Sequence, residues 1–213
     1  MGLIMTNVSK YDERKVRIKI TLLEITLKQL GQVKFEDINI KDICEEADIS
    51  KVTYFKYFPN KGDILLYFMT IWSYQLEVEI KEKALTGVRA IEYAFQRVLR
   101  IDNCMNLMMG LIGFISKMTV KPNKHNLSRL EKQTLFPKMN SNNYAMEGKK
   151  IDAFFRYHLI EAKKANELPK DSSIDATVIK LLTVFYGTPF TLFTLNSNDI
   201  KNGYRINLDT IFK

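Results

Sequence analysis

Between Ile49 and Lys61 the chain places three lysines, Lys51, Lys56 and Lys61, with no acidic residue among them. Thr53 and Tyr57 are interleaved with them, and Phe55 sits beside them. Ammonium groups meet phosphate oxygens, and short polar side chains hydrogen-bond to base edges. This order of residue types suits a polyanion rather than bond making. Catalytic constellations are missing elsewhere. The only histidines, His125 and His158, stand in no His-Glu-x-x-His spacing, and Cys44 and Cys104 form no Cys-x-x-Cys pair, so no metal site is expected. No Gly-rich phosphate loop occurs. Cys44 falls on the inward side of a helical pattern and reads as a small hydrophobe. Nothing near Cys104 in the sequence would depress its pKa. We therefore expect no enzyme, no cofactor and no metal.

The elements that must position the lysines follow from the apolar spacing. Asn39 can cap a short helix carrying Ile40, Ile43, Cys44 and Ala47 inward. Asp48-Ile49-Ser50 makes a turn, and a second short helix runs over 51–58 until Pro59 and Asn60 break it. Ile40, Ile43, Ala47, Ile49, Val52 and Phe58 can bury the pair against each other, with Tyr54 in the core and its tip exposed. The second helix then shows Lys51, Thr53, Lys56 and Tyr57 to water. A helix of this kind fits the DNA major groove, in the helix-turn-helix manner. Before it, Val16, Ile20, Leu23 and Leu27 mark a helix over 11–30 that Gly31 can stop. After it, Asn60 can cap a helix over 61–82 with Ile64, Leu65, Phe68, Ile71 and Trp72 inward.

Further helices are expected near 87–101, 103–118, 126–136, 144–166 and 173–195, with a short one at the C-terminus. Lys121-Pro122-Asn123 punctuates, Ser172 starts a capping box, and Gly187-Thr188-Pro189 should kink the last long helix. Five prolines and nine glycines are few for 213 residues, and 46% apolar with 26% charged residues is ordinary globular composition. The predicted class is all-α: an N-terminal arm at 1–9, a three-helix head over 10–62 and a helical domain over 63–213.

The net charge is +8, yet residues 1–61 hold 11 basic against 9 acidic side chains, while 119–170 hold 11 against 5. Overall charge is thus poor evidence for a nucleic-acid partner, and the 119–170 excess reads as solvated surface. Two cysteines suit a reducing compartment. The apolar runs at 104–115 and 181–195 fall short of a bilayer span, and no signal peptide is seen, so a cytoplasmic protein without a membrane partner is expected.

The stretch Ile40-Lys41-Asp42-Ile43-Cys44, then Ala47-Asp48-Ile49-Ser50-Lys51-Val52-Thr53-Tyr54-Phe55-Lys56-Tyr57-Phe58, then Lys61-Gly62-Asp63-Ile64-Leu65 resembles the N-terminal domain of TetR-type transcriptional regulators. The family pattern runs Ala-Gly-Val-Ser, Thr-Leu-Tyr-x-His-Phe, Lys-Glu-x-Leu-Leu, and the likeness spans residues 14–70. The resemblance implies a homodimer that binds a pseudo-palindromic operator in double-stranded DNA, acts as a repressor, and responds to a small-molecule effector. It carries DNA-contacting roles onto Asn39, Lys51, Val52, Thr53, Phe55, Lys56, Tyr57 and Lys61. This chain departs from the pattern at Asp48 for the turn glycine, Val52 for a small residue, Phe55 for the tyrosine and Tyr57 for the histidine. Val52 suits a thymine methyl.

The resemblance also implies a sensor in the second half. Met105, Met109, Phe114, Phe155, His158 and Phe185 are the candidate effector contacts, with ordinary core packing as the competing reading. Val178, Leu182 and Phe193 are the candidate dimer contacts. A different class of function stays open: a DNA-independent co-regulator of the same fold acting through protein contacts.

Overall fold

The computed structural model describes residues 9–118 and 126–212. Most of the expected arm at 1–9, the Lys121-Pro122-Asn123 break and His125 lie outside the described residues. Among those described, all regular structure is helical. The order is α1 Lys10–Leu30, a 3-10 turn Phe35–Asp37, α2 Ile40–Glu46, α3 Lys51–Tyr57, α4 Asp63–Glu82, α5 Gly87–Val98 and α6 Cys104–Ser116. Then come α7 Arg129–Leu135, a 3-10 turn Ser141–Ala145, α8 Ile151–Lys164, α9 Ile174–Thr194 and α10 Ile200–Phe212.

Local chemistry sets the helix starts. Ser9, Asn39, Ser50, Ser128 and Ser173 each accept a backbone N–H of their own first turn. Ser173, not Ser172, caps α9. The start of α4 reverses the expectation. Gly62 is its N-cap, and Asp63 reaches back to accept from the Asn60 backbone N–H at 2.6 Å and side-chain amide at 3.1 Å. The helix expected over 144–166 begins only at Ile151. Lys132 explains the delay: its ammonium takes the carbonyls of Tyr144 and Met146 at 3.2 and 2.6 Å, and the Glu147 carboxylate at 3.0 Å. Gly148 then lies flat on α4, where a Cβ would come within 2.7 Å of the Tyr74 backbone nitrogen.

Two hydrophobic clusters form the core. One gathers Leu22, Leu30, Phe35, Ile43, Tyr54 and Phe58 of the first three helices with Ile64, Leu65 and Tyr74 of α4, and continues into Leu107 and Leu111 of α6 and Leu127. The core of 10–62 is therefore continuous with that of α4 and α6. The other is aromatic: Phe95 stacks on Phe155 at 5.6 Å, and Phe185 and Tyr204 close on Phe95 edge-on at 5.7 and 4.9 Å.

Helix α9 is a continuous 21-residue helix through Pro189. Proline has no N–H for the carbonyl four residues back, that of Phe185. The buried Tyr204 hydroxyl of α10 donates to that carbonyl at 2.9 Å and satisfies it. The helix starts at Ile174, well before the apolar run at 181–195, and so becomes long and apolar enough to cross a membrane, contrary to the expectation. It packs on α10, α8 and α6.

Candidate functional site

The α2–turn–α3 segment is tightly built. Asp48 takes φ 51°, the left-handed conformation that glycine adopts more cheaply, and Ile49 N–H closes the end of α2 on the Cys44 carbonyl at 3.0 Å. Inside, Ile43 and Phe58 are buried. Tyr54 is fully buried, tip included, and its hydroxyl donates to the Lys61 carbonyl at 3.4 Å. Burial pushes that phenol well above its ordinary value. The expectation of an exposed tip is thus corrected.

The outer side of α3 is open. Val52 is 81% exposed, so it does not join α2 to α3, and Phe55 is 43% exposed. Lys51 and Lys56 are exposed, while Thr53 and Tyr57 are half-buried. Thr53 lies 3.0 Å from the Ser50 hydroxyl. Lys56 donates to the Tyr11 hydroxyl of α1 at 3.3 Å. Asn39 offers its carbonyl to Lys41 N–H at 2.9 Å.

Lys61 stands elsewhere than the resemblance implies. It precedes α4, its ammonium donates to the Glu36 carbonyl at 2.9 Å and lies over the Phe35 ring at 4.8 Å. Burial pulls its pKa down, against the pull of Glu36 and Asp37. It ties the 3-10 turn to the start of α4.

The structure adds cations that the motif did not reveal. Tyr11, Arg14 and Lys15 of α1 line one groove with Thr53, Lys56 and Tyr57 of α3. Lys10, Arg14, Lys15 and Arg17 are exposed and have no ion-pair partner among the described residues. Their spacing at 10, 14 and 17 is the signal that could have found them, since those positions share one helix face.

A cavity of about 230 Å³ lies in the second half. Its walls are α4 through Leu66, Met69, Trp72 and Ser73, α6 through Leu111 and Ile115, and Tyr186 of α9. Residues 147–152 and the segment around Leu127 and Lys132 complete it. None of the six expected effector residues lines it. Phe155 and Phe185 belong to the buried aromatic core, and Met105 packs against that core. Met109 is half-buried on α6. Phe114 faces the head, where a Cβ on Gly62 would fall 2.2 Å from its ring. His158 is 2% exposed, lies 4.5 Å from the Phe154 ring and 5.0 Å from that of Tyr157, and neither ring nitrogen has a partner among the described residues. Burial, helped by Lys149 and opposed by Glu161, holds its pKa down to about 4.

The expected dimer contacts divide similarly. Val178 is core, Leu182 packs against the core, and Phe193 lies 5.7 Å from the Lys34 ammonium of the head. The exposed apolar side chains of α8 and α9 are instead Tyr157, Ile160, Ile179 and Phe190. Among the described residues no group of three or more His, Cys, Asp and Glu could hold a metal ion. Comparison of the chain with protein-family models and with curated proteins finds no match.

Proposed function

We propose that the protein is a TetR-like transcriptional regulator, a repressor that binds a pseudo-palindromic operator as a homodimer and answers to a small molecule. The observation that carries the reading is the open side of α3. Lys51, Val52, Phe55 and Lys56 project from a short helix whose other side is locked into core, and unpaired cations of α1 flank it. A face of this kind offers polar and methyl-reading groups to a major groove and ammonium and guanidinium groups to the adjoining phosphates.

The effector would occupy the cavity between α4 and α6. Helix α6 joins that cavity to the head. Leu111 and Ile115 line the cavity, while Gly110 packs on Phe35, where a Cβ would lie 2.6 Å away, and Asn106 donates to the Leu30 carbonyl at 2.8 Å. Dimerisation would use the exposed apolar face of Ile179 and Phe190 with Tyr157 and Ile160, since a monomer gains nothing by showing it to water.

The test is selection from sheared genomic DNA at near-physiological salt, followed by sequencing. Enrichment of an inverted repeat with half-sites about one helical turn apart supports the reading. A dimer in solution that enriches nothing, with and without cell extract small molecules, refutes it.

A further inference from the structure

The chemistry of the cavity wall specifies its occupant, and the inference rests on reading this cavity as the effector site. Most of the wall is apolar, from Leu66, Met69, Leu111, Ile115 and Leu127. The charged groups at its edge are neutralised from within the protein. Lys132 is held by Glu147 at 3.0 Å and by two carbonyls. Lys149 is held by Glu77 at 2.8 Å. Lys150 and Asp152, both exposed, oppose one another in sign two residues apart. An ion of either sign entering here would lose its hydration without gaining a free counter-charge, which is unfavourable by several kcal/mol in real proteins.

The hydroxyl donors of the wall are occupied as well. Thr70 donates to the Leu66 carbonyl at 2.9 Å, Ser73 to the Thr70 carbonyl at 3.1 Å, and Tyr74 to the Asn143 carbonyl at 3.1 Å. One buried donor remains. Trp72 is 4% exposed, and its indole N–H has no acceptor among the described residues. A buried donor without a partner is costly, and a ligand acceptor would relieve it.

We propose that the cavity binds an uncharged, compact, largely apolar molecule carrying a hydrogen-bond acceptor, such as a cyclic ketone, which accepts from the Trp72 indole N–H. Trp72 is the sole tryptophan of the chain, so its fluorescence reports occupancy directly. The full-length protein is titrated, without DNA, with three probes on one bicyclic skeleton: camphor, ketopinate and bornylammonium. Camphor is expected to change the Trp72 emission saturably, with both ions at least about ten-fold weaker, the factor that 1.4 kcal/mol represents. Trp72→Phe keeps a ring and removes the donor. By calorimetry it should weaken camphor about five-fold, since one neutral hydrogen bond contributes about 1 kcal/mol. Binding of either ion as tightly as camphor, or no saturable response to camphor, overturns the proposal. So does a Trp72→Phe variant, folded by circular dichroism, that binds camphor unchanged. The two readings fail separately. Camphor binding with no enriched DNA refutes the regulator, and enriched DNA with no camphor response refutes the ligand class.

Discussion

Lys19 and Glu131 form a buried ion pair that joins α1 to α7, and breaking it from either side tests whether it holds the head to the rest. Glu131 accepts from the Lys19 ammonium and from the Tyr67 hydroxyl at 3.0 Å, and Lys19 lies over the Tyr67 ring at 4.1 Å. Glu131 also completes the cap of its own helix, accepting from Ser128 N–H at 2.8 Å. Side-chain exposure is 20% for Lys19 and 7% for Glu131. Removing one partner of a buried pair costs about 3–5 kcal/mol, because the survivor is left uncompensated. Lys19→Met strands the drier carboxylate and should fall in that range. Glu131→Gln strands a cation that can reach water, and the amide still accepts from Ser128, so about 2 kcal/mol is expected. At about 2–4 °C per kcal/mol for a chain of this size, the Tm falls by roughly 6–20 °C and 4–8 °C respectively. Urea titration at pH 7 should show the double variant recovering about 1–3 kcal/mol over the sum of the singles. Burial alone would raise the Glu131 pKa, but Lys19 and the Ser128 contacts outweigh it and hold the carboxyl below its ordinary value near 4.5. The folded pKa lies below the unfolded one. The pair's contribution is thus complete above about pH 4.5 and lost as pH falls through the folded value, and Glu131→Gln removes that limb. Strictly additive single variants would refute the coupling.

Three further outcomes are expected. Lys56→Ala should weaken DNA binding across sequences and lower the salt slope of log K by about one unit, whereas Thr53→Ala should relax sequence preference; competition binding at several salt concentrations reads both. Tyr204→Phe leaves the Phe185 carbonyl facing Pro189 without a donor and should cost about 1–3 kcal/mol in urea titration. His158 takes its proton near pH 6.5 when unfolded and only near pH 4 when folded, so stability should fall as pH drops across that interval. His158→Phe should flatten the fall in a melt series over that range.

The periodic elements were legible because their apolar spacing has one solution. Helices α1 to α6 and α9 begin and end within about three residues of the sequence reading, which is ordinary for boundaries. The tail of the pattern around 144–150 misled, since Lys132 claims its carbonyls from another helix, a contact no local pattern encodes. Residue roles were readable where the local segment decides them. Lys51 and Lys56 stand exposed as the turn and the caps require. They were unreadable where tertiary packing decides. Phe155, His158 and Phe185 share apolar stripes with true core, and a stripe does not say whether it faces a cavity or a neighbouring ring. The Ser128–Glu131 capping box was written in the sequence as Ser-x-x-Glu, yet its consequence, a buried glutamate for Lys19, depends on where α7 docks.

Helix α6 is where the two candidate sites meet, and its glycines set how closely they are joined. A Cβ on Gly110 would lie 2.6 Å from the Phe35 Cβ and 2.9 Å from its ring carbon. Those atoms are anchored near the backbone of the 3-10 turn, so a collision there moves the turn or the helix rather than a flexible tip. Gly110→Ala should cost about 1–3 kcal/mol of stability, the usual size for overpacking a well-filled core. It should also displace α6 relative to the turn that Lys61 ties to α4. If occupancy of the cavity acts on the head through α6, this variant mimics part of that displacement from the opposite side. DNA affinity then changes although no residue of α3 has been touched, and the Trp72 emission shifts without any ligand, because Leu111 and Ile115 move with the helix. Phe35→Leu in the Gly110→Ala background removes the ring that is struck and should restore both readouts. Unaltered DNA affinity in a destabilised Gly110→Ala protein would separate stability from signalling and remove α6 from the route between cavity and head.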